Sequence, residues 1–157
     1  MSEAAEPAAA SKESRRYGVE IISRKAGARD LSTRRLGGHA SPVTSARFTP
    51  DGARVVSASL GRLIRVWDVA SGTELFALAG HRGIIRQVVV TPDSRYAVSV
   101  SDDRTVRAWD LHAKAETARF TADAAMIACG ITPDGRTVAA LDSSGIVHAL
   151  AFESSHG

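Results

Sequence analysis

The sequence predicts an all-β protein made of three copies of a four-stranded antiparallel sheet. Three observations predict it: one period of 41 or 42 residues, short apolar and β-branched runs within each period, and a Thr-Pro-Asp turn after the first run of each copy. Because the whole pattern returns at one period, we expect a row of equivalent sheets rather than one irregular core.

The period is defined by three local patterns that share it. Gly-His recurs 42 residues after its first occurrence, Trp-Asp recurs at the same step, and the turn recurs at steps of 42 and 41. These landmarks are Gly38-His39 and Gly80-His81, Trp67-Asp68 and Trp109-Asp110, and the turns that begin at Thr49, Thr91 and Thr132.

Each copy is predicted to form a blade of four short strands, of which the fourth is located in the first two copies. The first ends at the turn, where Pro presets φ and a glycine takes positive φ; Ser94 replaces that glycine in the middle copy, so we expect slight strain there. The predicted strands are 43–49, 53–59, 63–68 and 73–78, then 84–91, 95–101, 105–110 and 116–120, then 126–132, 136–142 and 146–152. The run 31–36 takes the place of a fourth strand of a preceding copy.

Composition limits the class of protein. The 157 residues are 44% hydrophobic and 5% aromatic, so the core is expected to consist of Val, Ile, Leu and Ala. A single cysteine, Cys129, excludes an intrachain disulfide and favours the cytoplasm. No apolar run approaches the roughly 18 residues that cross a bilayer, so no membrane association is expected. Residues 1–16 lack the order of a signal peptide and are predicted to be a disordered tail.

Together these features resemble the WD-repeat β-propeller family, in which each repeat forms one four-stranded blade. The resemblance covers about 31–152. The three repeats lie near 31–73, 74–115 and 116–152, and the domain that they form is predicted to span 31–157. The third copy departs from the pattern, since Gly-His is lost near Thr121-Ala122 and Leu150-Ala151 replace Trp-Asp. The segments 131–136 and 145–148 are also similar to terminal repeats of bacterial multidomain signalling proteins, where a propeller serves as a sensor or docking platform.

The resemblance implies a buried hydrogen-bonded tetrad of His, Ser, Asp and Trp in each blade. The second copy matches all four positions, with His81, Ser99, Asp103 and Trp109. The first copy matches three, with His39, Ser57 and Trp67, and has Gly61 at the Asp position. Because unpaired polar groups cost free energy in a low dielectric, the first blade is expected to be weaker.

The same residues give no sign of catalysis or of a cofactor. Ser, His and Asp recur beside Trp without a G-x-S-x-G turn, so a hydrolase triad is not expected. His39 and His81 lie a full repeat apart without a carboxylate cluster, which argues against a metal site. No phosphate-binding glycine loop is present.

Function is therefore expected in the loops, which in the family commonly bind peptides or protein surfaces on one face. The residues predicted to bind a partner are Leu60, Arg62, Arg82, Ile84, Asp102 and Arg104, with Ser143 and Ser144 in the third copy. Arginine beside apolar residues suits a binding hot spot, although any one of these arginines could simply be a solvent-exposed residue of its bend. The predicted function is a non-catalytic protein-binding scaffold or adaptor.

Three blades are fewer than the about four to eight that close known propellers, so the arc should have open edges. Three explanations remain open. Two copies could form a six-bladed homo-oligomer, with 31–36 pairing against 146–152 of the same or a neighbouring chain. Another chain could supply the remaining blades. The sequence could also be a truncation.

Residues 17–30 form a basic segment ahead of the repeats. Tyr17–Ser23 could be an extra edge strand or a partner-binding arm. The alternative function is a nucleic-acid-binding accessory subunit that grips phosphates with this arm, in line with the net charge of +3. Only Tyr17 offers a ring for stacking bases, so protein is the first choice of partner and nucleic acid the second. The cations concerned are Arg15, Arg16, Arg24, Lys25, Arg29, Arg34 and Arg35.

Overall fold

The computed structural model describes residues 17–153, which form thirteen strands and no helix. The prediction of an all-β antiparallel chain is confirmed; the tail predicted at 1–16 and the last four residues lie outside the described residues. Since the described part has no helix, none there could span a membrane. The strands are β1 (Tyr17–Ser23), β2 (Ser32–His39), β3 (Val43–Phe48), β4 (Arg54–Ser59), β5 (Leu63–Asp68), β6 (Glu74–Ala79), β7 (Ile85–Val90), β8 (Tyr96–Ser101), β9 (Thr105–Asp110), β10 (Ala115–Thr121), β11 (Met126–Ile131), β12 (Thr137–Asp142) and β13 (Val147–Ala151).

These strands form four sheets in which sequence neighbours pair antiparallel. Strands β3 to β6 make blade 1, β7 to β10 make blade 2, and β11 to β13 make blade 3, while β1 and β2 form a separate hairpin. Among residues 17–153, blade 3 therefore has three strands, where four were expected. The described residues form an arc of stacked sheets and show no closed ring.

Strand β2 corrects one further expectation, because it pairs with β1 and not with β13 of the same chain. Val19 lies opposite Leu36, and Ile21 lies opposite Arg34. Closing a hairpin over a short loop costs less chain entropy than joining strands more than a hundred residues apart. The hairpin buries Leu36 against Trp67 and so covers the face of blade 1 that points away from blade 2.

The main core lies between successive blades. One apolar cluster joins blades 1 and 2, with Ile64 and Leu78 packing against Ile85 and Trp109. A second joins blades 2 and 3 and includes Val106 and Met126. Polar links between the first strands hold the blades in register: Thr44 donates to the Ile85 carbonyl (2.5 Å), Val88 N–H to Ser45 Oγ (3.2 Å), and Cys129 N–H to Gln87 Oε1 (2.9 Å).

The Pro-Asp turns adopt the conformation that their sequences predict. Gly52 and Gly135 both have φ of 72°. Ser94 takes the same left-handed conformation, with φ of 61°, which a serine adopts at some cost. Its hydroxyl accepts a hydrogen bond from Asp51 N–H at 3.1 Å, and this bond ties the turn of blade 2 to that of blade 1.

Candidate functional site

Blade 2 contains a continuous hydrogen-bonded network built on the predicted tetrad. His81 Nδ1 donates to Asp103 Oδ2 (2.8 Å), His81 Nε2 lies 2.6 Å from Ser99 Oγ, and Trp109 Nε1 donates to Ser99 Oγ (2.8 Å). Asp103 also accepts the backbone N–H of Arg82 at 2.9 Å and both donors of Thr105. The network thus joins the loop before β7, strand β8 and the turn before β9.

Burial and hydrogen bonding set the charges of this network. Burial lowers the pKa of His81, and the hydrogen bond that His81 donates to Asp103 only partly opposes that shift. Burial would raise the pKa of Asp103, but hydrogen bonds from Thr105, Arg82 N–H and His81 outweigh it and hold that pKa below its usual value. At neutral pH the network therefore combines a carboxylate with a neutral imidazole.

Blade 1 has the same network without its carboxylate. His39 Nε2 lies 2.6 Å from Ser57 Oγ, and Trp67 Nε1 donates to that oxygen at 2.9 Å. Gly61 stands where Asp103 stands in blade 2. Burial, together with the positive charge of Arg65, lowers the pKa of His39 to about 4.

The sequence interpretation missed a buried arginine beside the tetrad of blade 2. Arg107 donates through Nε to Thr105 Oγ1 (3.0 Å) and through its terminal nitrogens to Glu116 (3.0 Å) and Asp103 (3.4 Å). A signal existed in the sequence, because an Arg nine residues before a Glu recurs at the same step of 42 in blade 1, where Arg65 pairs with Glu74 at 2.7 Å.

Blade 3 has no tetrad and carries a different polar pair. His148 Nε2 lies 2.8 Å from Asp142 Oδ2. The other oxygen of Asp142 accepts Ser144 N–H, the Ser144 hydroxyl and Ile146 N–H, and so fixes the turn between β12 and β13. The repeat step places Ala140, Ser144 and Leu150 where blade 2 has Ser99, Asp103 and Trp109.

The tetrads serve packing and do not line a cleft. Ser99 is 0% exposed, and its oxygen accepts the indole N–H of Trp109, so its hydroxyl has no access to a substrate. Among residues 17–153, no group of three or more His, Cys, Asp or Glu side chains could hold a metal ion. Cys129 is buried, which raises the pKa of its thiol to about 12. Location in the cytoplasm stays a prediction.

The predicted partner-binding loops lie together at one end of each blade. Leu60 N–H donates to the Pro42 carbonyl (3.0 Å), and Asp102 N–H donates to the Ile84 carbonyl (2.9 Å). These bonds place the turn after the second strand beside the segment before the first strand in both blades. We call the surface formed by Leu60, Arg62, Arg82, Ile84, Arg86, Asp102 and Arg104 the loop face.

Arg62 and Arg104 occupy equivalent turn positions in the left-handed conformation, with φ of 66° and 70°. Glycine favours this conformation, and Gly145 holds the equivalent position in blade 3 with φ of 91°. Leu60 is 38% exposed beside Arg62. The loop face therefore presents two arginines at positions that suit glycine better.

Asp102 is engaged within the protein. Arg86 donates to both its carboxylate oxygens, each at 2.7 Å. The sequence interpretation missed Arg86, which lies in β7, because nothing local pairs it with a turn sixteen residues away. Ile84 is half-buried, whereas Arg82 and Arg104 are exposed.

The basic arm is part of the β1–β2 hairpin. Arg34 donates to the carbonyls of Val69 and Ala70 in blade 1, and Arg24 Nε donates to the Ala28 carbonyl at 3.1 Å. Two of the basic residues considered for nucleic-acid binding, Arg24 and Arg34, thus stabilise the local fold through hydrogen bonds to carbonyl groups.

Stacked antiparallel sheets, two of which contain the same His-Ser-Trp network, define a repeat protein of the propeller type. The family model described as "WD domain, G-beta repeat" matches residues 31–68 and 72–110, which are therefore two repeats of the WD-repeat family. Proteins of this family generally act as non-enzymatic scaffolds for protein interactions.

Two curated relatives match a stretch of about one repeat. The chain is 51% identical over 41 residues to vegetative incompatibility protein HET-E-1 of Podospora anserina, which is 26% of this chain and 3% of that protein. It is 50% identical over 40 residues to mitochondrial division protein 1 of Mycosarcoma maydis, which is 26% of this chain and 5% of that protein. The matched stretch is thus a small part of either relative.

Proposed function

We propose that this chain is a non-catalytic scaffold or adaptor that holds a protein partner on the loop face of blades 1 and 2. One observation carries the proposal: Arg62 and Arg104 stand in the left-handed conformation at equivalent turns of neighbouring blades. That conformation costs a residue with a side chain roughly 1–2 kcal/mol. Strained positions of this kind cluster at functional sites, because the surrounding structure must hold them in place.

The chemistry of the loop face favours an acidic segment that also carries apolar residues. Arg62, Arg82 and Arg104 are exposed cations, and the carboxylate of Asp102 is already paired with Arg86. Guanidinium groups bind carboxylates through two parallel hydrogen bonds and also stack on rings. The exposed Leu60 supplies an apolar contact beside them.

Replacement of both turn arginines by glycine tests this proposal. We expect Arg62→Gly with Arg104→Gly to keep or raise the free energy of unfolding, because glycine relieves the left-handed turns. We also expect the double variant to lose affinity for Asp- and Glu-rich decapeptides with a central Leu or Phe, measured by fluorescence anisotropy.

The matched control removes the same charge elsewhere. Arg47→Ala with Arg136→Ala changes two exposed arginines outside the loop face and should leave peptide affinity within about twofold, since bulk charge alone has a weak effect at physiological salt. Equal losses in the two double variants would show that net charge is responsible and would contradict the proposal.

We further propose that the open arc is completed by assembly with another chain. The support is the third blade, which has no fourth strand among the described residues. Light scattering of the full chain, alone and with a candidate partner, tests this. A chain that stays monomeric under both conditions would contradict it.

A further inference from the structure

Blade 1 contains buried hydrogen-bond donors that have no acceptor. Ser57 accepts the indole N–H of Trp67, so its own proton goes to His39 Nε2, the other partner of that hydroxyl. The ring proton of His39 therefore lies on Nδ1, which has no hydrogen-bond partner among residues 17–153 although the residue is only 1% exposed. The Nε atom of Arg65 is also buried without a partner. Donors of this kind cost free energy, which indicates that an acceptor is missing.

Blade 2 shows which acceptor suits these donors. There the Asp103 carboxylate accepts hydrogen bonds from His81 Nδ1 (2.8 Å), from the backbone N–H groups of Arg82 and Thr105 (2.9 Å each) and from Arg107 (3.4 Å). Hydrogen bonding holds the pKa of Asp103 below its usual value and so keeps the group charged. The acceptor that fits a set of donors of this kind is thus a carboxylate.

The turn around Gly61 has the geometry of the turn around Asp103. The backbone N–H of each of these residues donates to the hydroxyl of the serine two positions earlier, at 3.2 Å in both blades. The histidine and tryptophan rings lie 6.1 Å apart at an angle of 56° in blade 1, and 5.9 Å apart at 58° in blade 2. Blade 1 therefore retains the donors that surround a carboxylate in blade 2. They are His39 Nδ1, Ala40 N–H, Leu63 N–H and the guanidinium of Arg65.

Gly61 has no side chain that could meet these donors. The heavy atoms nearest to a Cβ atom at Gly61 would belong to Ser41 and Ser59, with Ser41 Oγ at 3.1 Å and Ser59 Oγ at 3.4 Å. Blade 2 has Gly83 at the repeat position of Ser41, so Ser41 adds a hydroxyl donor that blade 2 lacks. Gly61 is exposed within the turn of the loop face. A group from outside the chain therefore reaches the donors from that face.

We propose that blade 1 binds a carboxylate group beside Gly61, where the group takes the place of the missing tetrad side chain. His39 Nδ1 and Arg65 donate hydrogen bonds to its oxygens, and the Ser41 hydroxyl is a further donor. The group belongs either to a small free carboxylate or to an Asp or Glu side chain of a segment bound on the loop face. The second source rests on the proposed function, whereas the first is independent of it.

The charges around the site suit a single carboxylate but bind it weakly. Arg65 is already paired with both carboxylate oxygens of Glu74, at 2.7 and 2.8 Å. His39 is neutral at neutral pH, because its pKa is about 4. Leu63 stands where blade 2 has Thr105, so one hydroxyl donor of blade 2 is absent. A small free carboxylate is thus expected to bind with a Kd on the order of 10 mM, and a side chain carried by a bound segment more tightly.

Sodium formate is the probe for this site. Added to the full chain, with sodium chloride keeping the ionic strength constant, it should shift the NMR amide signals of Ala40, Gly61 and Leu63 in a saturable manner. It should also raise the pKa of His39, since a nearby carboxylate favours the imidazolium. The signals around His81 are the internal control, because a carboxylate already fills the equivalent position there. Shifts that do not saturate, or that are equally large in blade 2, would overturn the proposal.

A variant that carries its own carboxylate gives the matched control. Gly61→Asp should weaken formate binding by at least roughly tenfold, because the new side chain reaches the same donors at a high effective concentration. Arg47→Ala, which removes an exposed cation outside the loop face, should change it by less than about twofold. An undiminished formate response in Gly61→Asp, or an equal loss in Arg47→Ala, would refute a site at Gly61.

The acidic peptides used to test the loop face distinguish the two sources of the carboxylate. If an Asp or Glu side chain of the partner occupies the site, saturating peptide removes the response of Ala40 and Leu63 to formate. If a free anion occupies it, the peptide leaves that response unchanged. Either result supports a carboxylate site, whereas a wild type without a saturable formate response contradicts both sources. Because the formate titration needs no peptide, the loop face and the carboxylate site can fail separately.

Discussion

Blades 1 and 2 share strand order, register and a His-Ser-Trp network, yet their equivalent arginines, Arg65 and Arg107, lie in different environments. In blade 2, Arg107 donates hydrogen bonds to Asp103 and Thr105 and lies in the interior, where its side chain is 4% exposed. Blade 1 has Gly61 and Leu63 at those positions, and the Nε atom of Arg65 is buried without a hydrogen-bond partner. One carboxylate and one hydroxyl thus convert a peripheral ion pair into a buried network.

The largest expected effect comes from removing the indole rings. Trp109→Ala should lower the free energy of unfolding by about 3 to 5 kcal/mol, because a large buried side chain leaves a cavity. Trp67→Ala should cost less, since Trp67 is covered by the β1–β2 hairpin and Trp109 lies between two full blades. Urea unfolding followed by circular dichroism measures both, and equal losses would contradict the difference between the blades.

Removing the carboxylate should make blade 2 resemble blade 1. Asp103→Gly is expected to cost about 3 kcal/mol, because the buried His81 loses its carboxylate and the buried Arg107 loses one of its three acceptors. The control is Asp102→Gly at the adjacent position, which breaks an ion pair of half-exposed side chains and should cost at most about 1 kcal/mol. Urea unfolding of both variants gives the comparison, and similar losses would mean that the network contributes little.

Acid should destabilise the fold through its buried histidines. The pKa of His39 is about 4 in the folded chain against 6.5 for an unperturbed histidine, so between these values the unfolded state binds the extra proton. The free energy of unfolding should therefore be fully retained above about pH 6.5 and fall as the pH approaches 4, by on the order of 3 kcal/mol.

Denaturant unfolding across this range in the wild type and in His39→Gln measures that contribution. The glutamine variant should show a shallower pH dependence, with the remaining slope arising from His81 and, near pH 4, from carboxyl groups such as Glu116, whose pKa values are also lowered. Identical slopes in the two proteins would show that the pKa of His39 does not differ between the folded and the unfolded chain.

The smallest effect is expected from completing blade 1. Gly61→Asp should stabilise the fold by about 1 kcal/mol, the usual net value of a hydrogen bond, and should raise the pKa of His39. A Cβ atom at Gly61 would lie 3.1 Å from Ser41 Oγ, so Ser41 must shift slightly. Urea unfolding and NMR titration of His39 check both results, and a lower stability with an unchanged pKa would show that the carboxylate does not reach the histidine.

Most of the fold and the tetrads could be predicted because the signals are local or repeated. The Pro-Asp turns determine where the first strand of each blade ends and the second begins, and the step of 42 carries His39, Ser57 and Trp67 onto His81, Ser99 and Trp109. The buried Arg107 was missed, since a charged residue within a strand is usually exposed. Binding of a partner by the loop face stays a prediction, because a single sequence does not show which surface residues contact a partner.

The sequence by itself determined the number of blades, the position of nearly every strand and the His, Ser, Asp and Trp positions of the two polar networks, because turn chemistry and side-chain alternation act over a few residues. Only the tertiary structure decided that β2 pairs with β1, that Arg86 holds Asp102 and that β13 pairs with β12 alone among the described residues. These outcomes depend on which strand edges and side chains meet in space, and the competition between distant segments that settles them is not encoded in any local pattern.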